Sequence, residues 1–91
     1  MTLAEMKLAL RISTNTLDSQ ITSEIASAQA ELVRAGMSSA AITSEAALVD
    51  RAIEAYVRSL HAADLKEREG YYESFKYQAD QLRKSYPAEE E

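Results

Sequence analysis

The sequence predicts an all-α fold, a small bundle of about four helices, and three observations carry that expectation. Apolar residues recur at steps of three and four over long stretches. Both glycines and the single proline sit where helices should end. No segment shows the two-residue alternation of a half-buried strand.

Thr2 with Glu5 three residues later forms a capping box, in which each side chain satisfies the backbone N–H of the other's residue. The first helix therefore starts at Leu3, and Leu3, Met6, Ala9 and Leu10 recur at helical spacing. Beyond Arg11-Ile12 come Ser13-Thr14-Asn15-Thr16, whose side chains compete with the backbone for hydrogen bonds and favour caps and turns, so this helix ends by about Ile12. Leu17, Ile21, Ile25, Ala28 and Leu32 then succeed one another at steps of four, four, three and four, which keeps them within an arc of about 80°. Gly36 can adopt the left-handed conformation that closes a helix, with Met37 placed for the accompanying apolar contact. The second helix thus spans about Leu17 to Ala35.

Residues 38 to 44 read as a Ser/Thr/Ala connector with room for one turn around Ala40-Ala41, and Thr43 or Ser44 can cap the next helix. This third helix starts near Glu45, with an apolar face of Leu48, Val49, Ala52, Ile53, Tyr56, Val57 and Leu60 opposite Arg51, Glu54 and Arg58. The charged run Asp64 to Gly70 interrupts this pattern. A fourth helix, with Tyr72, Phe75, Ala79, Leu82 and Tyr86 at three-four spacing, fits from Glu67 or Gly70 to Ser85. Residues 1–87 form one helical domain, and the acidic tail Ala88-Glu89-Glu90-Glu91 beyond Pro87 is expected to be disordered.

Composition narrows the chemistry. Ninety-one residues make one domain, and the absence of cysteine removes disulfides and thiolate metal sites. Lys7, Arg11 and Glu31 break the longest apolar runs, so neither a signal peptide nor a membrane span is expected, and the protein is expected to be made in the cytoplasm. A net charge of -5 argues against a nucleic-acid phosphate backbone as a primary partner. His61, the single histidine, lies about 130° from the centre of the third helix's stripe and is expected at the surface, without the further ligands a metal needs. The carboxylates fall in solvated patterns: Glu67 and Glu69 flank Arg68, and Asp50 and Glu54 form an i,i+4 pair. With only Gly36 and Gly70, no phosphate loop or nucleophile elbow can be built. No catalytic, cofactor-binding or metal residue is expected.

Contact residues are a different matter. Ser19, Ser23, Ala26, Ala30 and Val33 lie on the side of the second helix away from its apolar stripe, where small residues allow another helix to approach closely. The competing explanation is that alanine simply fills an exposed helix well. Tyr77 projects about 170° from the fourth helix's stripe, among Glu73, Asp80 and Lys84, and tyrosine is enriched at protein interfaces. Scattered exposed aromatics are ordinary, so Tyr77 and Lys84 are contact candidates and no more, whereas Tyr71, Tyr72, Phe75 and Tyr86 read as core or core edge.

Leu3, Glu5, Lys7, Leu10-Arg11-Ile12, the polar break, Leu17-Asp18, Ile21, Ile25 and Ala28 together resemble the opening of the small head-tail connector (adaptor) proteins of long-tailed bacteriophages and prophages. Ala52-Ile53-Glu54-Ala55-Tyr56-Val57 and Tyr71-Tyr72-Glu73-Ser74-Phe75 look like that family's third and fourth helices. One departure is the break, where the family often carries several acidic residues and this chain has Ser13-Thr14-Asn15-Thr16. The resemblance implies a ring of identical subunits docked under the portal at the head-tail junction of the virion. Such a ring passes the packaged DNA without specific binding and offers a platform for a stopper or tail-completion protein, with no catalysis and no cofactor. A closed ring needs two different, mutually complementary faces on each subunit. Two other readings fit the length, a small dimeric enzyme of the chorismate-mutase type and a helical protein-interaction module. The enzyme would need Arg11, Arg34, Arg51 and Arg58 to converge on an anion, which their spacing does not suggest.

Overall fold

The capping box forms as the sequence requires: the Thr2 N–H donates to Glu5 Oε1 at 2.8 Å and the Glu5 N–H to Thr2 Oγ1 at 3.1 Å. The backbone and hydroxyl hydrogen bonds of Thr2 hold the Glu5 carboxyl below its ordinary value. The box therefore contributes above the ordinary pKa of a glutamate and weakens as pH falls through the lowered one. In this computed structural model, which describes residues 1–42 and 47–87, the first helix α1 runs Leu3–Leu10 and α2 runs Asp18–Arg34. The other helices are α3, Ser39–Ile42, α4, Ala47–His61, and α5, Leu65–Ser85.

Five helices are thus described where about four were expected, because the connector turn around Ala40-Ala41 closes into the one-turn helix α3. The expected caps Thr43 and Ser44, the helix start at Glu45 and the acidic tail 88–91 lie outside the described residues.

The end of α2 is a Schellman motif. Gly36 takes φ 113°, its N–H donates to Val33 O at 3.0 Å, and the Met37 N–H reaches Leu32 O at 3.1 Å, which carries Met37 into full burial. A Cβ on Gly36 would meet only ordinary contacts with Arg83 at 3.6 and 3.7 Å, so the cost of a side chain there is conformational. Gly36→Ala is expected to lower stability by about 1–2 kcal/mol, measured by urea unfolding.

The chain after α5 returns to this turn: the Ser38 N–H donates to Tyr86 O at 2.7 Å, and Met37 and Pro87 form an isolated antiparallel bridge.

The core lies between α2, α4 and α5, with α4 in the middle. Met6, Ile21, Ala28, Leu32, Met37, Val49, Ala52, Ile53 and Val57 are all fully buried. The expected stripe of α2 is buried as predicted from Ile21 to Leu32, with Leu17 at its edge. Two expectations for α4 require correction. Leu48 and Leu60 are exposed, at 58% and 47%, although Val49 and Ser59 in the same first and last described turns are buried, so the core-facing strip of α4 is narrower than the predicted stripe. Conversely, Ala55 and Ser59 are buried. With Ala52 they form a strip of small side chains at i, i+3 and i+7, the size that close approach of α5 requires. Ser59 also donates its hydroxyl to Tyr56 O.

The fourth expected helix begins earlier than predicted, so Gly70, expected at a helix end, lies inside it. Asp64 caps α5 by accepting from the Lys66 N–H at 2.9 Å, so the charged run is the exposed opening of the helix and no interruption. Phe75, Ala79 and Leu82 are buried, whereas Tyr72, read as core or core edge, is 46% exposed and only stacks over Phe75 at 6.3 Å. Tyr56 meets Phe75 edge-on at 5.0 Å.

Candidate subunit interface

Helix α2 owes its uncharged outer surface to sequence. Ser19, Ser23, Ala26 and Ala30 are exposed, as are Gln20, Thr22 and Ser27 beside them, and Val33 is 41% exposed. No formal charge occurs among the exposed residues of α2 before Arg34, while the acids Glu24 and Glu31 are half-buried at its sides. Helix α5 is built differently, its exposed residues including Lys66, Glu67, Arg68, Glu69, Glu73, Lys76, Arg83 and Lys84. Desolvating charge is costly, so the outer side of α2 is the cheaper of the two to cover with another chain.

Tyr77 is 67% exposed and stands away from the Phe75/Ala79/Leu82 stripe. Three residues on, Asp80 accepts from Arg83 at 2.7 Å and pairs with Lys84 at 3.2 Å. The hydrogen bonds of Lys84 and then Arg83 hold its carboxyl below the ordinary range. Lys84 is thereby directed toward Asp80 beside the tyrosine. The α2 residues and the Tyr77/Lys84 pair lie on separate helices, each group turned away from the core that those helices share. They form two faces and no single patch.

Other exposed apolar side chains are not among the residues that the sequence singles out, notably Leu8 at 80% and Leu65 at 68%. Leu8 carries the same signal as Tyr77, a large apolar residue off its helix's stripe.

His61 is not the free surface residue its helical angle suggested. Its Nε2 lies 2.6 Å from Glu24 Oε1, with the two side chains only 19% and 14% exposed, so it ties the end of α4 to α2. Angle along one helix cannot reveal a partner supplied by another. Nearby, Arg58 donates from Nε to Glu54 at 3.0 Å and from Nη2 to Ala9 O at 3.0 Å, and its guanidinium lies 5.9 Å from the centre of the Tyr71 ring. Arg58 thus caps the carboxyl end of α1.

These residues border a cavity of about 470 Å³ lined by Ala9, Leu10, Arg11, Ile12, Arg58, His61, Ala62, Glu67 and Tyr71. A second cavity, about 430 Å³, lies between Glu31, Arg34, Ala35, Tyr56 and Tyr72. Burial, then the neighbouring Glu31, raises the Tyr56 hydroxyl above its ordinary value. The four arginines that a mutase-like site would need do not line one cavity: Arg58 shares the first with Arg11 and a third with Arg51, while Arg34 lines the second. Among the described residues no cluster of three or more histidines and carboxylates is arranged for a metal, and no helix is long and apolar enough to cross a membrane.

Residues 1–88 match the sequence model of the family described as Phage gp6-like head-tail connector protein. The chain belongs to this family. The resemblance read from the helix-break-helix opening and the two later blocks is borne out over nearly the whole chain, and this connector is a structural phage protein and a virion component. No curated protein and no solved structure matches it. In the connector's own structure the polar break is fixed by Lys7, whose Nζ donates to Asn15 Oδ1 at 2.9 Å and pairs with Asp18 at 2.8 Å.

Proposed function

We propose that copies of this chain close into a ring beneath the portal, extend the DNA channel and present a platform to a stopper or tail-completion protein. Membership of the head-tail connector family over residues 1–88 is the observation that carries this reading. The faces of the subunit support it. A heterologous ring needs two unlike surfaces on opposite flanks of each copy. In this reading the uncharged outer side of α2 (Ser19, Ser23, Ala26, Ala30 and Val33) and the Tyr77/Lys84 region of α5, both exposed, supply them.

The test is assembly. Mixed with the portal protein of the same phage, the chain should give rings in negative-stain images and a mass well above that of a monomer, while a monomer in the free state is compatible with a ring templated by the portal. Ala26→Arg and Tyr77→Glu change exposed residues, so helix content and thermal unfolding should stay nearly unchanged while ring formation is lost. Normal assembly by both variants would show that the faces are wrong. A strict dimer with chorismate-mutase activity, or a dimer that ignores the portal, would overturn the ring itself.

A further inference from the structure

The cavity at the hairpin end of the subunit, where α1 finishes against α4 and the start of α5, collects basic side chains in a chain of net charge -5. Arg11, Arg58 and His61 line it with the Tyr71 ring, against one acid, Glu67. Two of the three are engaged, His61 by Glu24 and Arg58 by Glu54. Arg11 makes no ion pair among the described residues. It also holds the backbone at φ 59°, a left-handed conformation that glycine or asparagine would occupy at lower cost.

We infer that this cavity receives a carboxylate-bearing segment, the Glu89-Glu90-Glu91 run of a second copy of the chain. Arg11 is the open positive charge that a carboxylate would meet, with Arg58 and the Tyr71 ring lining the same cavity. Reach favours a contact between copies. Pro87 is pinned to Met37, and along α5 the rise from Tyr71 to Ser85 is about 21 Å. Four residues beyond Pro87 extend at most about 14 Å, short of that rise, so the run as a whole is better placed to enter the cavity of another copy than its own. The contact is head-to-tail, the sense a heterologous ring requires. The inference rests on the ring reading, since a single surface ion pair is weak and gains its force from the high effective concentration inside an assembly.

The probe is the acetylated peptide Ala-Glu-Glu-Glu, titrated into the full ¹⁵N-labelled chain, with Ala-Gln-Gln-Gln as control. Shifts should concentrate on Arg11, Ile12, His61 and Tyr71 and fade with added salt. Arg11→Asn keeps a residue that tolerates the left-handed backbone, so it should fold at least as stably as the parent while weakening the peptide about fivefold or more, and Arg11→Lys should restore most of the loss. Shifts elsewhere, equal binding of the control peptide, or binding indifferent to Arg11→Asn would overturn the inference. In the portal assay, the E89Q/E90Q/E91Q chain should form fewer rings than the parent. If it forms them equally, the inference fails and the ring stands. If the parent forms none, the ring fails, and the peptide titration still decides the cavity.

Discussion

Replacing Ile53 by alanine is expected to lower the free energy of unfolding by about 2–5 kcal/mol, read as a shifted urea midpoint with an unchanged slope. Ile53 is fully buried in α4, the helix packed against both α2 and α5, so the lost methyl groups leave a void that two neighbours must share. Neither can collapse into it without moving away from the rest of α4, and the small strip Ala52, Ala55 and Ser59 offers no long side chain to fill it. For a chain of 91 residues the whole stability is about 5–13 kcal/mol, so this single change can consume much of it. A cost below about 1 kcal/mol would mean that α4 is not the packed centre of the fold.

Met6→Ala should behave differently. Met6 is the only fully buried side chain of α1; Leu3 and Leu10 pack against the core only in part, and polar ties add to them: the Met1 amino group to Asp50 at 2.8 Å, Lys7 to Asp18, and Arg58 to Ala9 O. Removing the buried thioether takes about 2–5 kcal/mol from the docking of one short helix. What then remains is the partial packing of Leu3 and Leu10 and a few polar ties, so α1 should leave the surface before the remaining helices unfold. Amide exchange should accelerate across Leu3–Leu10 while Ile21 to Leu32 and Val49 to Val57 stay protected. Uniform acceleration throughout the chain would show instead that α1 is part of one cooperative unit.

The elements that local chemistry determines were legible in the sequence. The Thr2/Glu5 box, the stripe of α2 and the left-handed Gly36 all depend on residues within four or five positions of one another, and each appears where the spacing places it. What the sequence obscured depends on where one helix ends relative to another. Leu60 lies within about 20° of Ile53 around α4, yet it is exposed, because angle says which way a side chain points and nothing about what stands opposite it at that level. The charge run at Asp64 to Gly70 looked like a break because it buries nothing, but helix formation there needs only a cap and favourable propensity. The interface candidates were legible as exposed positions, and all seven are exposed. The His61–Glu24 pair and the cavity beside it join residues from different helices, which no single-helix projection brings together.

The Met37–Pro87 bridge has a bearing on how the molecule comes into being. Helices α4 and α5 are joined by residues 62–64 and can zip together early, since closing so short a loop sacrifices little chain freedom. The bridge and the Ser38-to-Tyr86 hydrogen bond instead unite the middle of the chain with residues near its far end. They can form only once residue 87 has cleared the ribosome, so during translation the turn after α2 waits uncovered. The subunit is therefore completed after synthesis of its helices is over, and the last stitch in the fold is also the one that fixes where the acidic run departs.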